Sequence, residues 1–549
     1  LIERSGNQWF LSKKDAADHA PRAILRALLV VGLSSGTGGA IARTGGEQPG
    51  TLPAPLSTTE NGILPGCAGD GKTDDTACVQ YWIDKRQGGI LNLGTGTYLI
   101  SSALVSKGAI TLSGAGGGKG IYKQSCSSGL RTNNPRQDVL VLEGAGARVH
   151  NICIDANVEM QEGTAIRIVG SANSVIVSDS HINNQIVGIS VSGTGSNGST
   201  QNADVILRHN TIVPAAHSKA VGIMLGGNSR KANTIDTRVE GNSLVCQGKI
   251  GTGTLILDAG GALISNNTQY GCALGTKIYP GSDQQVMWIY FTGTVLGDTD
   301  TDHNLLIDTQ VSNAGVWGLN FVNTWASNAG GSSILIQDNG ASHNILGIHF
   351  IGHRTHVAKD RSGIEVKAGQ KVTFDSGTIC SDGNGKGTGF IASGDTIASA
   401  VRNSTIGNCD HNTDGRLATG ILVSTNAENV GIFTGNDLST TALPIAWRPA
   451  AGNEAAAILG KNLGLDTAPG MVAANTTVNL PPNRAVFLSG GTPVKWLNGG
   501  WAGRETMLYP TAGPISFEAG GNICSAVTAD KRQRVSAVFE KEFGCWSLR

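Results

Sequence analysis

Charged and aromatic residues are both scarce in this 549-residue chain, at 15% and 5%. That shortage excludes helical bundles and coiled coils, which are rich in Glu, Lys, Leu and Ala. No charge of one sign prevails, because 41 Lys and Arg balance 41 Asp and Glu. Without a net field, neither nucleic acid nor an anionic membrane surface is an expected partner. Long apolar runs are missing too. The most membrane-like stretch, residues 22–42, opens Arg22-Ala23-Ile24-Leu25-Arg26-Ala27-Leu28-Leu29-Val30-Val31. Arg26 interrupts it, and what remains is too short to span a bilayer. Zinc-ligand spacings, a phosphate-binding loop, a nucleophile elbow and a complete EF-hand loop are absent, so no metal and no cofactor are expected. The acidic turn Asp298-Thr299-Asp300-Thr301-Asp302 is at most a weak calcium candidate.

What is plentiful is glycine, 78 residues, which suits tight corners and close backbone approach. Setting apolar triplets in register uncovers an internal repeat over about 100–445. Anchors fall at Val149, Val175, Val205, Ile235 and Leu263, with spacings of 26, 30, 30 and 28. They resume at Ile345, Val372, Val401 and Val430, with spacings of 27, 29 and 29. Turns containing Asn or Ser follow the anchors, as in His209-Asn210-Thr211, Gly241-Asn242-Ser243 and Gly435-Asn436-Asp437. A second strand recurs after glycine: Gly188-Ile189, Gly222-Ile223, Gly363-Ile364, Gly389-Phe390, Gly420-Ile421. One such unit of short strands cannot bury its own apolar face, but stacked units can, at an inter-strand spacing of about 4.8 Å. Leucine-rich repeats share the period but need a fixed Leu/Asn pattern that is missing, and propeller blades are longer. The expected fold is therefore all-β, a right-handed single-stranded parallel β-helix.

The stretch Gly69-Asp70-Gly71-Lys72-Thr73-Asp74-Asp75-Thr76 precedes a short helix, with Thr73 or Asp74 as its N-cap and Cys78, Val79, Trp82 and Ile83 as its apolar stripe. Gly88-Gly89-Ile90-Leu91-Asn92-Leu93-Gly94-Thr95-Gly96-Thr97-Tyr98 then ends the helix and gives two strands. These thirty residues resemble the opening signature of the pectate-lyase-superfamily parallel β-helix proteins. That family includes secreted polysaccharide lyases and hydrolases and many phage tail spikes. The resemblance implies that the short helix caps the open end of the coil and does no chemistry.

Four segments follow from composition: 1–66, an N-terminal attachment segment and linker with an amphipathic helix over about 12–31; 67–449, the β-helix; 450–470, a linker; and 471–549, a small C-terminal β module. Residues 1–66 read either as an attachment segment or as a leader packed on the end of the solenoid. The C-terminal module resembles those on phage spike β-helices, which in that family help to form trimers or bind a surface. Ten cysteines taken in order pair as 67 with 78, 126 with 153, 246 with 272, 380 with 409 and 524 with 545. Spacing alone does not decide that connectivity. Disulfides would favour an extracellular setting, and free buried thiols are the alternative. Residues 264–340 look less regular and hold an aromatic cluster: Trp288, Tyr290, Phe291, Trp317, Phe321 and Trp325. These are either sugar-stacking platforms or large core and interface residues.

Charge gathers in the connectors of the late repeats. One reads His353-Arg354-Thr355-His356-Val357-Ala358-Lys359-Asp360-Arg361 and leads to Glu365 and Lys367. The next holds Asp382 and Lys386, and the one after it Asp410, His411, Asp414 and Arg416. Successive loops stack, so carboxylates and bases would meet on one face. Glycoside hydrolysis needs a protonated carboxyl to assist the leaving oxygen and a second carboxylate as base or nucleophile. The candidates are Asp360, Asp382 and Glu365, with Arg354, His356, Arg361, Trp317 and Trp325 holding substrate. A lyase would instead use Arg354, His356 or Arg361 near a uronate. Solvated loop charges or inter-subunit salt bridges are the bland alternative. Gly352-His353 and Asn412-Thr413-Asp414-Gly415 are similar to polygalacturonase-type signatures but stand in reverse order, and are read as coincidence.

The functional expectation is a trimeric, phage tail-spike-like protein that binds and cuts a bacterial surface polysaccharide. Its residues 1–66 would meet other phage tail or baseplate proteins, and it would sit on a virion tail or outside the cell. A non-catalytic receptor-binding spike and a free secreted lyase or hydrolase are the alternatives.

Overall fold

The computed structural model describes residues 2–5, 8–11, 62–116, 126, 128–192, 201–227, 233–338, 344–358, 360–381, 386–409, 417–425, 429–447, 456–464, 470–481, 483–500, 504–540 and 542–549. The chain separates into two compact units, Leu1–Ala54 and Pro55–Arg549. In the first, Ile2–Ser5 and Gln8–Leu11 form an antiparallel pair with Ile2 opposite Leu11. The helix expected at about 12–31 lies outside the described residues.

The second unit is a parallel β-solenoid of about 12 turns. Each turn visits three stacks of strands. A first-sheet strand such as Ile176–Ser178 rounds a tight corner into a second-sheet strand, His181–Asn183. A variable loop leads to a longer third-sheet strand, Val187–Ser192, and a short bridging strand, Gln201–Ala203, returns the chain to the first sheet at Ile206–Arg208. Every pairing between turns is parallel, for example Ile176 to Ile206, His181 to Thr211 and Ile189 to Ile223.

The inward position of the first sheet is a single column: Val149, Val177, Leu207, Val239, Ile264, Phe291, Phe321, Phe350, Phe374, Val401 and Phe433. All eleven are buried. The expected period is correct, but several anchors are out of register. Val175 and Val205 precede the column by two residues, while Ile235 and Ile345 lie on bridging segments opposite Gly260 and Val316. Residues 264–340 are no less regular than the rest, since Ile264, Phe291, Phe321 and Phe350 follow one another in register. Phe291, Phe321 and Phe350 stack with ring centroids 4.5 and 4.6 Å apart. Two members of the aromatic cluster, Phe291 and Phe321, are therefore core.

The corner from first to second sheet explains the recurrent Asn and Ser. Its leading residue takes a left-handed backbone on turn after turn, as at Asp179 (φ 53°), His209 (φ 53°), Gly241 (φ 63°), Asn266 (φ 53°) and Asn323 (φ 51°). Gly, Asn and Asp tolerate that region best. The next residue turns inward and bonds its counterpart on the following turn. The Asn242 Oδ1 accepts from the Asn210 backbone N–H at 2.9 Å, and the Asn267 Oδ1 accepts from that of Asn242 at 2.9 Å. The Nδ2 groups of Asn210 and Asn242 donate to the carbonyls of Val177 and Leu207. Buried backbone groups that no strand satisfies thus find partners in a side-chain ladder. The glycine at the second position of many third-sheet strands has a different cause: a Cβ at Gly222, within Val221–Leu225, would stand 2.4 Å from Leu244 Cδ2 of the second sheet.

The helix is Thr76–Lys85, with Val79, Trp82 and Ile83 joining the solenoid core. Its capping differs from the expectation in detail. Asp74 Oδ1 does accept the Thr76 N–H at 3.0 Å, but Asp75 occupies the N-cap position without capping. Its carboxylate instead accepts from Ala68 and Gly69 at 2.7 and 2.9 Å, which pins the preceding loop.

All five cysteine pairs form as paired in sequence order. Cys126–Cys153, Cys246–Cys272 and Cys380–Cys409 join positions 27, 26 and 29 residues apart, one turn in each case. Beyond the coil, Gly470–Ala473, Ala485–Ser489 and Glu505–Pro510 stack in parallel, and Val535–Glu540 and Cys545–Leu548 add antiparallel strands. This C-terminal part has its own core around Phe517, Phe539 and Trp546. Arg504 is buried there, its guanidinium donates to the carbonyls of Gly499 and Pro481, and burial pushes its pKa down to about 9.

Candidate functional site

The loop between second and third sheets gathers most of the sequence candidates at one corner. Trp325, 46% exposed, stands directly across from Arg354 on the next strand. Arg354 and His356 flank the buried Thr355 and so point outward together. His356 Nδ1 lies 2.9 Å from Asn328 Oδ1, at the start of the preceding turn's loop. That loop ends at Ser332, whose hydroxyl donates to Glu365 Oε2 at 2.6 Å. Glu365 sits on the third sheet between Leu335 and Ile391, and Lys367 Nζ is 3.6 Å from its Oε1. Asp360 and Arg361 are exposed on the intervening loop, with Asp360 held at φ 65°. The corner thus presents an indole, a guanidinium and an imidazole on one side and a hydrogen-bonded carboxylate on the other.

Trp317 stands elsewhere: it lies between Met287 and Leu346 in a row that meets the Glu365 strand at Gln370. Asp382 lies outside the described residues, as do Asp410, His411, Asp414 and Arg416 of the next connector.

His353 is not a surface group. It is buried in the corner ladder, with Nδ1 2.6 Å from Thr324 Oγ1 and Nε2 2.9 Å from Thr355 Oγ1, between the rings of Phe350 and Phe374. Burial pushes its pKa down to about 3.

Further polar residues stand on or beside the third sheet one to three turns before Glu365, with Asp308 buried among them. Lys277 Nζ lies 3.8 Å from the centre of the Tyr279 ring. Burial lowers the Lys277 pKa, and Asp308 and Asp302 act in the opposite direction. Asp308 accepts from Gln337 Nε2 at 3.1 Å. His303 Nδ1 lies 2.6 Å from the Ser332 carbonyl and its Nε2 3.2 Å from Asp302, so Ser332 joins His303 to Glu365 across successive turns. Lys277 and Asp308 carry little signal in sequence because they alternate with core positions on their strands.

The acidic turn at 298–302 does not open to solvent as a ligand set. Asp300 is buried, accepts from the Cys272 N–H and Asn304 Nδ2 at 2.9 Å each, and has its pKa raised to about 7 by burial. Among the described residues no group of three or more His, Cys, Asp or Glu side chains is placed to hold a metal ion.

Residues 65–292 match the family model described as "Rhamnogalacturonase A/epimerase, pectate lyase-like". Among curated proteins no match to the chain is found. Solved structures that resemble it include the catalytic unit of a thermostable alpha-1,3-glucanase from Streptomyces thermodiastaticus, at 18% identity, 76% of this chain, 69% of that one and TM-score 0.41. The A-module of a mannuronan C-5 epimerase from Azotobacter vinelandii is 13% identical over 72% of this chain and 97% of its own, at TM-score 0.38. The Dettilon tailspike protein is 15% identical over 70% of this chain and 66% of its own, at TM-score 0.41. Likeness at this level says nothing about substrate. The family match over residues 65–292, the parallel stacking and the inward ladder agree on one conclusion: the fold is a parallel β-helix similar to that of the pectate-lyase-like proteins.

Proposed function

We propose that the protein binds and depolymerises a bacterial surface polysaccharide along the corner between its second and third sheets. The observation that carries this is Glu365, a carboxylate on the open face of the third sheet, oriented by Ser332 and Lys367. Glu365 acts as base or nucleophile, and a carboxyl on the neighbouring loops, Asp360 or Asp382, protonates the leaving oxygen. Arg354, His356 and Arg361 hold acidic or hydroxyl groups of the chain, and Trp325 stacks against a sugar ring. The matched family, named for a rhamnogalacturonase, an epimerase and a pectate lyase, supports a polysaccharide as substrate. Five disulfides suit an oxidising, extracellular setting. Among the described residues no helix is long and apolar enough to cross a membrane. The finer reading is a homotrimeric phage tail spike on the virion, joined to other tail or baseplate proteins through residues 1–66.

The test is to incubate the purified protein with capsular polysaccharide and lipopolysaccharide while following reducing ends and the absorbance of unsaturated uronates. Reducing ends alone indicate hydrolysis, both signals a lyase, and neither leaves a protein that only binds. Glu365→Gln is expected to lower the rate by roughly 10²–10⁴-fold with an unchanged melting curve, and Asp360→Asn tests the acid in the same assay. Full activity in Glu365→Gln would remove this site.

A further inference from the structure

We propose a second, non-catalytic glycan-binding strip where the bridging strands enter the first sheet, centred on Trp288, Tyr290 and Trp317. It relies on the polysaccharide reading above only for the class of ligand.

The corner before the first sheet is left-handed on successive turns; the turns next to Trp288 satisfy it with Gly261 (φ 65°), Gly318 (φ 63°) and Gly347 (φ 69°), and turns further off with Asp236 (φ 51°), Lys371 (φ 56°) and Ala398 (φ 52°). Trp288 adopts the same conformation at φ 53°. A bulky residue meets a steric cost in that region, and such strain persists where the surroundings fix it. Core burial does not offset that cost, because the side chain is 64% exposed. A large ring is therefore held in the open on a rigid corner where neighbouring turns use glycine.

Glycines also clear space beneath both indoles. A Cβ at Gly318 would stand 3.0 Å from Trp288 Cδ1, and one at Gly315 would stand 2.8 Å from Trp317 Cζ2 and 3.0 Å from its Cε2. Trp317 thus lies over the backbone of its own strand, and Trp288 over that of the next turn. Beside them Tyr290, 51% exposed, stands between Leu263 and Asn320 on adjoining strands. The row continues through His349 to Thr373, with His349 Nδ1 2.8 Å from Thr373 Oγ1.

This composition selects the occupant. Sugar rings present C–H faces to the electron-rich faces of aromatic rings and hydroxyls to amides, imidazoles and hydroxyls. Trp288, Tyr290, Trp317, Asn320 and His349 carry no formal charge, the exposed Arg238 and Lys371 standing only at the two ends of the strip, and burial lowers the pKa of His349, keeping it neutral at neutral pH. An uncharged, hydroxyl-rich chain fits such a strip. An interface with a second copy needs about 800 Å² of well-packed surface per partner. Here Asn320, His349 and Thr373 break the apolar row within a few turns.

The experiment uses the full chain and immobilised capsular polysaccharides and lipopolysaccharides, with binding measured by surface plasmon resonance and cleavage by reducing ends. Trp288→Gly is the informative variant, because glycine suits the corner and should leave the melting temperature unchanged or raised. Trp288→Gly and Tyr290→Ala are expected to weaken retention on the glycan surface about tenfold, with cleavage of short oligosaccharides unchanged. Glu365→Gln should do the reverse, losing cleavage and keeping retention. Wild-type retention in both strip variants would overturn the strip alone. So would a fall in oligomeric mass by light scattering, which would mark the strip as an interface between copies. Failure of the wild-type protein to bind or cleave any of these glycans would overturn the polysaccharide reading and the strip with it.

Discussion

His353 occupies a ladder position that asparagine fills at 210, 242, 267, 436 and 462, and it makes the ladder sensitive to acid. Its folded pKa of about 3 lies below the ordinary value of 6.5, so the folded chain keeps it neutral. Below pH 6.5 the unfolded chain takes up a proton that the folded chain refuses, and stability falls as pH drops toward 3. Asp300 works the other way. Its carboxyl keeps its proton up to about pH 7, so it costs stability as pH rises from about 4 to 7. The two slopes oppose each other, so variants are more informative than the wild-type profile. In urea titrations at pH 7, 5 and 4, His353→Asn is expected to lose less stability on acidification than the wild type. An unchanged slope would mean that His353 is not the buried acid-sensitive group.

Strands here are short, often three residues, and each is stable only through its neighbours on adjoining turns. The phenylalanine column concentrates that dependence. Phe321 is stacked between Phe291 and Phe350 and is fully buried, so Phe321→Ala should cost about 3–5 kcal/mol. Urea unfolding followed by far-ultraviolet circular dichroism measures it, and a cost below about 1 kcal/mol would show that the column can collapse around the gap. The same column explains the misjudged regularity of residues 264–340. Aliphatic triplets give way there to single phenylalanines flanked by polar residues, and the apolar signal thins while the register continues. The one- and two-residue errors at Val175, Val205 and Leu263 have another source. First-sheet strands begin just after a corner residue that is itself apolar and buried, and the sequence does not say on which side of the corner the ladder starts.

Across the whole molecule, three disulfides tie successive turns of the coil, and a fourth, Cys67–Cys78, ties the cap helix to the residues before it. A bridge closing a loop of one turn should contribute roughly 2–4 kcal/mol by restricting the unfolded chain. The double variant Cys246→Ala/Cys272→Ala is expected to show that loss in urea midpoints under non-reducing conditions. Equal midpoints for variant and wild type would show that stacking alone sets the stability. Pairing in sequence order was open from spacing; for the three pairs within the coil it closed because one turn brings each partner back to the same place.

The sequence by itself determined the coil: period, glycine corners, asparagine turns and the cap helix are local or nearest-neighbour features, and a solenoid is built from nothing else. The corner of Trp325, Arg354, His356, Asp360, Arg361 and Glu365 was legible for the same reason, because those residues share one connector or its counterpart a turn away. Only the tertiary structure decided which face each side chain joins. A shift of one residue in a strand moves a side chain from core to solvent. That put His353, Asp300 and Asp308 inside and brought Lys277 and Trp288 toward solvent, while Trp317 fell in a row that meets the Glu365 strand at Gln370.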